Sequence, residues 1–102
     1  MTVYGFDWDS GNREKCQIHG VSLAEIEELF SGRLYVAPAP LHPDTEDRFI
    51  AVGRNSAGRA LFVAFTLRTK SGRQLIRPIS ARYMHSKEIA AYEKARPETE
   101  DR

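Results

Sequence analysis

The chain has 102 residues, which suffices for one domain with one packed core but not for two. Hydrophobic residues make up 41% and charged residues 28%, a balance typical of globular proteins that argues against extended disorder. No apolar run approaches the roughly 20 residues of a membrane span, and the N-terminus lacks a signal-peptide pattern, so we expect a soluble, cytoplasmic protein. The single cysteine, Cys16, cannot form an internal disulfide, which agrees with a reducing compartment.

The charged residues are unevenly distributed along the chain. The formal net charge is only +1, but residues 48–87 contain nine Lys and Arg residues and no Asp or Glu. Residues 1–47 contain three basic and nine acidic residues, and residues 88–102 contain three and five. Such a basic segment produces a local positive field that the net charge conceals, and it predicts an anionic partner.

The first elements are a short strand and a short helix. Residues 3–8 alternate in the manner of a strand, with Asp7 on the face opposite the aromatic side chains. Residues 9–12 then offer several N-cap candidates for a helix that ends at Gly20. The apolar stripe of this helix is weak, so its stability must come from docking against the rest of the domain.

The second helix is better specified. Ser22 and Glu25 form a capping box, and the apolar stripe that follows ends at Phe30. Residues 33–37 then predict a strand, and the prolines and acidic residues of 38–47 predict a long loop.

The basic segment predicts the main sheet. Residues 49–52, 59–68 and 74–82 are strand-like runs joined by turn residues, which favours an antiparallel meander. A last helix begins after Ser86 as its cap and ends at Pro97. We therefore expect one α+β domain over residues 1–97, with an antiparallel sheet of about four to five strands, two N-terminal helices and one C-terminal helix. Residues 98–102 predict a disordered acidic tail.

The register of the last hairpin decides which arginines share a face of the sheet. If residues 70–72 form a three-residue loop, Arg68 and Arg82 lie on one face and Arg77 on the other. A four-residue loop, or a bulge near Pro78, would change this assignment.

Arginines on a sheet suit phosphate recognition, because the guanidinium presents a planar fork of donors. RNA is of interest because its 2′-hydroxyl can attack the adjacent phosphate without a metal, if the protein supplies positive charge and proton transfer. The residues that could supply proton transfer are His19, His85 and Glu88. The structural alternative is that the arginines form surface ion pairs with the acidic helices. The residues by themselves thus indicate an anion-binding α+β domain.

Four segments, in order, resemble a known family: Phe-Asp-Trp-Asp (6–9), His-Gly-Val-Ser (19–22), Glu-Asp-Arg-Phe-Ile (46–50) and Ile-Arg-Pro-Ile-Ser-Ala-Arg (76–82). With their spacing they resemble the BrnT toxins, RelE-like ribonucleases of type II toxin-antitoxin pairs, and the resemblance extends over residues 4–93. The sequence departs from the family at Ile18, where Lys is common, although Lys15 lies one helical turn earlier. It also departs at Pro78, which replaces a β-branched residue and predicts a bulge or an edge strand.

The resemblance implies a RelE-like fold and RNA cleavage without a metal or other cofactor, which would block translation. It also implies inhibition by a BrnA-like antitoxin whose ribbon-helix-helix domain binds promoter DNA, so that DNA is contacted only through the antitoxin; no membrane partner is expected. Together with the basic sheet it predicts as catalytic residues Arg68, Arg77, Arg82 and His19. It predicts as RNA-binding residues Lys15, Arg48, Arg59, Lys70, Arg73 and Tyr83.

Two other classes of function remain as alternatives. One is a non-catalytic member of the same fold that binds RNA or a protein partner. The other is a DNA-binding regulator, which is disfavoured because the helix over residues 22–30 carries three acidic residues and no basic one. Such a helix would be repelled by the phosphates that flank a major groove.

Overall fold

The computed structural model describes residues 5–32, 34–38 and 48–95. Its elements in chain order are α1 (Ser10–Gln17), α2 (Leu23–Ser31), β1 (Leu34–Pro38), β2 (Phe49–Arg54), β3 (Ala60–Lys70), β4 (Arg73–Tyr83) and α3 (Ser86–Ala95). The four strands form one antiparallel sheet in the order β1-β2-β3-β4. This arrangement confirms the predicted α+β class, with two helices before the sheet and one after it.

Some predictions fall wholly or partly outside this description. The predicted tail at 98–102 and residues 39–47 of the predicted loop lie outside the described residues. Within the described ranges, no helix has both the length and the apolarity needed to cross a membrane.

The helices α1 and α2 cover one face of the sheet, which we call the core face. Its fully buried side chains include Phe65, whose ring centroid lies 5.0 Å from that of Phe30 and 5.4 Å from that of Phe49. Cys16 belongs to the same core, and desolvation raises the pKa of its thiol to about 11. This thiol is therefore a packing group rather than a nucleophile.

Polar contacts attach α1 to the edge strand β4. Asp9 caps the helix, since its side chain accepts from the Asn12 amide while the Asn12 side chain accepts from the Asp9 amide. The same Asn12 side chain donates to the carbonyls of Asp7 and Pro78, at 3.0 and 2.9 Å. Asn12 is 7% exposed, so these bonds supply the docking that the weak apolar stripe requires.

The predicted capping box of α2 is confirmed. The Ser22 hydroxyl accepts from the Glu25 amide, and the Glu25 carboxylate accepts from the Ser22 amide. The cap of α3 differs from the prediction, because the amide of Ile89 donates to the carbonyl of His85, one residue before Ser86. His85 is therefore the residue that begins the hydrogen bonding of α3.

Residues 3–4 of the predicted strand at 3–8 lie outside the described residues, and residues 5–8 form one parallel bridge, between Phe6 and Ile76. The amide of Ile76 donates to the Gly5 carbonyl at 2.9 Å, and the amide of Asp7 donates to the Ile76 carbonyl at 2.8 Å. This segment lies along the outer edge of β4. Phe6 packs against the core, and the alternation places Asp7 on the opposite face, as the sequence predicts.

The predicted three-residue hairpin loop is wrong, and so is the face assigned to Arg77. Lys70 pairs with Arg73, which leaves a two-residue loop in which Ser71 and Gly72 have φ values of 52° and 75°. Positive φ at both positions is the geometry of a type I′ turn, whose twist matches that of the strands. In this register Arg77 pairs with Thr66 and shares a face with Arg68.

A β-bulge then keeps Arg82 on that face. Phe65 pairs with Pro78 and Ala64 with Ser80, so Ile79 is an extra residue in β4. The prediction of a bulge or an edge strand at Pro78 is confirmed on both counts, because β4 is an edge strand. We call this the basic face of the sheet, and it carries Phe62, Thr66, Arg68, Arg77 and Arg82.

Helix α3 lies against the end of the basic face that is nearer to Phe62. The ring of Tyr92 meets that of Tyr35 at 5.7 Å, and Glu93 pairs with Arg54 at 2.7 Å. Tyr35 pairs with Val52 and Val52 with Phe62, so all three lie on the basic face.

Candidate nucleic-acid interface

Two grooves follow the edge strand β4, one near each end of α1. The first, which we call the α1 groove, has a volume of about 690 Å³ and is walled by the bulge residues Pro78 and Ile79. The second, the histidine groove, has a volume of about 390 Å³ and lies where β4 ends. The eight residues of α1 span about 12 Å. Because the grooves lie near opposite ends of this helix, they are separated by a distance of about this length.

The α1 groove brings together four of the predicted site residues. They come from α1, from the residue before β2, from β3 and from β4, and they are Lys15, Arg48, Arg68 and Arg77. The carboxylate among the lining residues is Asp9, which is bound to Arg77. Among the described lining residues, four cations against one carboxylate give this groove a positive charge, as a polyanion requires.

Arg77 is held by two acidic residues. Its Nη2 donates to Asp9 at 2.7 Å, and its Nη1 donates to the Asp7 carboxylate and carbonyl, both at 3.4 Å. Lys70 donates to the other Asp7 oxygen at 2.8 Å. The hydrogen bond from Lys70, with the charges of Lys70, Arg77 and Arg68, holds the pKa of Asp7 below its ordinary value. The hydrogen bond that Arg77 donates to Asp9 raises the pKa of Arg77. The guanidinium of Arg77 thus lines the groove in a fixed orientation and stays positively charged.

The other cations of the α1 groove differ in their surroundings. Lys15 and Arg68 are exposed, whereas the Nε of Arg48 is buried and, within the described part of the chain, lacks a hydrogen-bond partner. A buried donor without a partner is costly and is satisfied when an acceptor such as a phosphate oxygen approaches it.

The histidine groove combines residues from three separate parts of the chain. His19 follows α1, Arg59 precedes β3, and the remainder come from the end of β4 and the start of α3. The lining residues are His19, Arg59, Arg82, Tyr83, Met84 and His85. The groove therefore contains two guanidinium groups and two imidazoles.

Arg82 is fixed by a bidentate ion pair with Glu88. The two guanidinium nitrogens donate to the two carboxylate oxygens at 2.8 and 2.7 Å, and the guanidinium carbon lies 4.5 Å from the ring centroid of Phe62. Glu88 also accepts from the amide of His85 at 2.9 Å. The hydrogen bonds from Arg82 and then from His85 lower the pKa of Glu88 to about 2. Glu88 is therefore an anion at neutral pH that orients Arg82, and it does not meet our expectation of a proton-transfer group.

Tyr83 supports Arg59. The guanidinium carbon of Arg59 lies 3.6 Å from the centroid of the Tyr83 ring. The Tyr83 hydroxyl lies 2.9 Å from each oxygen of Glu25, and this hydrogen bond raises the pKa of Tyr83. Asn55 also donates to Glu25, at 2.7 Å. The ring of Tyr83, fixed by its hydrogen bond to Glu25, thus packs against the guanidinium of Arg59 and holds it at the groove.

The remaining predicted site residues lie elsewhere. Lys70 and Arg73 face each other across the β3–β4 turn and line neither of the two grooves. The alternative prediction of surface ion pairs is correct in part, since carboxylates bind Arg54, Lys70, Arg77 and Arg82.

Asp7 was missed as a site residue by sequence reasoning. The strand-like alternation at the N-terminus placed it on the correct face, but its contacts with Arg77 and Lys70 depend on tertiary structure. No cluster of three or more His, Cys, Asp or Glu side chains suited to a metal ion occurs in residues 5–32, 34–38 and 48–95.

Comparison with models of protein families gives a match. A family model described as "Ribonuclease toxin, BrnT, of type II toxin-antitoxin system" matches residues 8–88. The matched range includes every residue that lines the two grooves. No match was found among the curated proteins.

Proposed function

The chain belongs to the BrnT family of ribonuclease toxins of type II toxin-antitoxin systems, and on this basis we propose that it is a metal-independent endoribonuclease that inhibits translation in the cytoplasm. The observation that carries the proposal is the placement of Arg68, Arg77 and Arg82 on one face of the sheet. Together they line two grooves along one strand, an arrangement that suits an extended polyanion.

The reaction that suits these grooves is attack of an RNA 2′-hydroxyl on the adjacent phosphorus. The O2′–P bond forms and the P–O5′ bond breaks, which leaves a 2′,3′-cyclic phosphate and a 5′-hydroxyl. Arg59 and Arg82 face the developing negative charge in the histidine groove, where such donors stabilise a transition state. His19 takes part in proton transfer. The cations of the α1 groove bind phosphates of the neighbouring nucleotides.

A second candidate function follows from the ion pairs. Because Arg77 and Arg82 are each bound to a carboxylate, the same grooves would serve a non-catalytic member that binds RNA or a partner protein. In that case the chain would retain RNA on a filter but leave its length unchanged.

The partner in this proposal is a BrnA-like antitoxin with a ribbon-helix-helix domain. The least demanding mode of inhibition is an acidic segment that covers the basic face and competes with RNA for the same arginines. Folding of such a segment on binding costs ordering free energy, but it can cover a large area and gains from charge-steered association. Promoter DNA would be contacted only through the antitoxin.

The test is incubation of the purified chain with end-labelled RNA, with and without EDTA. We expect cleavage that is equal in both conditions and that the Arg68→Ala and Arg82→Ala variants lose. Lys94→Ala is the matched control, because Lys94 is exposed and lines neither groove. Loss of cleavage on chelation would refute metal independence, and intact RNA in every condition would favour the non-catalytic candidate.

A further inference from the structure

We propose that His85 supplies a second proton-transfer group opposite His19, so that the histidine groove is where the phosphodiester bond is cleaved. This inference rests on the ribonuclease activity proposed above and names a further catalytic residue for it.

The fold brings the two histidines together although 66 positions separate them. His19 lies in the turn after α1, and His85 lies at the start of α3; both side chains are exposed and line the same groove. The backbone of His85 is fixed at both polar atoms, because its amide donates to Glu88 and its carbonyl accepts from Ile89, each at 2.9 Å. The backbone thus carries the structural role of this residue, and its imidazole is available for chemistry.

The chemistry requires two proton transfers. A base removes the proton of the 2′-hydroxyl as O2′ attacks phosphorus, and an acid protonates O5′ as it leaves. An imidazole accepts a proton when neutral and donates one when protonated, so a pair of imidazoles in opposite protonation states can perform both steps. After the 2′,3′-cyclic product departs, the imidazole that acted as base releases its proton to water, and the imidazole that acted as acid takes one up from water.

The groups around the two imidazoles suit this reaction. Arg59, just before β3, and Arg82, on β4, face the groove. Tyr83 lies beneath Arg59, and the Glu88 anion holds Arg82 from α3. A guanidinium has five N–H donors, and the bond to Glu88 uses two of those of Arg82. Among the described residues, the other N–H groups of Arg82 are left to donate to the oxygens of the phosphorane, and the exposed Arg59 adds a second positive charge.

The first experiment compares pH–rate profiles for cleavage of a short RNA by the wild type, His85→Gln and His19→Gln. We expect a bell-shaped profile for the wild type, and a loss of about 100- to 10,000-fold at the optimum for each variant, with a different limb of the bell missing in each. Lys87→Gln removes an exposed charge from α3, two residues after His85, and should keep both limbs of the profile. Thermal unfolding of all four proteins checks that they are folded.

The second experiment uses the same RNA with sulfur in place of the bridging 5′-oxygen at the mapped cleavage site. A thiolate leaves without a proton, so this substrate should restore cleavage to the variant that lacks the general acid and not to the other. If neither variant, or both variants, regained cleavage activity with this substrate, the assignment of His19 and His85 as one acid and one base would be wrong.

The two proposals fail in different ways. A wild type that cleaves RNA, together with a His85→Gln variant that retains both limbs, would refute the role of His85 and leave the ribonuclease activity standing. A uniform loss of rate in His85→Gln, with both limbs intact, would refute it as well. A wild type that cleaves no RNA at any pH would refute the ribonuclease activity itself.

Discussion

Arg77 and Arg82 project from the same face of β4 although five positions separate them. In a regular strand an odd separation places side chains on opposite faces. Here Ile79 is inserted between the positions that pair with Ala64 and Phe65, and this extra residue returns Arg82 to the side of Arg77. The bulge is thus the feature that gives both grooves their arginines.

The side-chain alternation of β4 predicts the effect of removing the bulge residue. We expect the variant that lacks Ile79 to retain RNA cleavage, because Arg77 and Arg82 are then four positions apart and a regular strand keeps both on the basic face. Ile79→Ala keeps the extra residue and should retain cleavage with a loss of stability of at most about 2 kcal/mol, as its side chain is only partly buried. Cleavage assays and urea unfolding measure both effects. A folded variant without Ile79 that loses cleavage would show that the bulge does more than set the face of Arg82.

Arg68 and Arg77 should respond differently to truncation. Arg68 is exposed, so Arg68→Ala should reduce RNA affinity and lower the free energy of unfolding by less than Arg77→Ala does. Arg77 is 21% exposed and binds Asp7 and Asp9, so Arg77→Ala should also destabilise the protein by about 1–3 kcal/mol, since the buried Asp7 would lose a charged partner. Urea denaturation with an RNA filter-binding assay separates the two outcomes. Equal stability of the two variants would show that the Asp7–Arg77 contact contributes nothing to folding.

Stability should fall in acid. The pKa values of Asp7, Asp9, Glu25 and Glu88 all lie below their ordinary values, chiefly through hydrogen bonds. A carboxylate with a depressed folded-state pKa contributes stability that is fully present above its unfolded-state pKa and is lost as the pH falls through the folded-state value. For Glu88 this window runs from 4.5 down to about 2.

The free energy of unfolding, measured in urea between pH 7 and pH 2.5, should therefore decrease below about pH 4.5. The Glu88→Gln variant should be less stable at pH 7 and lose less between pH 4.5 and pH 2.5. A wild type and a variant with parallel pH curves would indicate that the Arg82–Glu88 pair does not couple to folding.

The hydroxyl of Tyr83 and its ring should have separable effects. Tyr83→Phe removes the hydrogen bond to Glu25 and should cost about 0.5–1.5 kcal/mol of stability. The ring that supports Arg59 remains, so the RNA affinity of this variant should stay near that of the wild type. Tyr83→Ala removes the support as well and should weaken RNA binding. If Tyr83→Phe weakens RNA binding as much as Tyr83→Ala, the hydroxyl itself contacts the RNA.

Association with the antitoxin should depend strongly on salt. If an acidic segment covers the basic face, the association rate should fall steeply as the Debye length decreases from about 30 Å to about 10 Å. Arg68→Glu and Arg82→Glu should weaken both antitoxin binding and RNA cleavage, while Lys94→Glu, outside both grooves, should affect neither. Stopped-flow mixing at several ionic strengths measures the rate. A salt-insensitive rate would place the antitoxin on a helical surface and make inhibition indirect.

The sequence alone determined the features that depend on neighbouring residues. The capping box of Ser22 and Glu25, the antiparallel hairpins and the irregularity at Pro78 were predicted correctly, because each follows from residues within a few positions of one another. The concentration of arginines on the last strands is likewise a property of the sequence. These local signals suffice for the α+β class and for the prediction of an anionic partner.

Tertiary structure decided which side chains meet. The face of Arg77 depends on whether the β3–β4 loop has two or three residues, and Ser71, a residue type that seldom adopts positive φ, adopts it here. The side-chain period of a strand is two, so an error of one residue in register moves a whole set of side chains to the other face. The bond between Asp7 and Lys70 and the shared groove of His19 and His85 join residues more than 60 positions apart. Such contacts follow from the docking of α1 and of the segment before it against β4, and no periodicity or short motif encodes them.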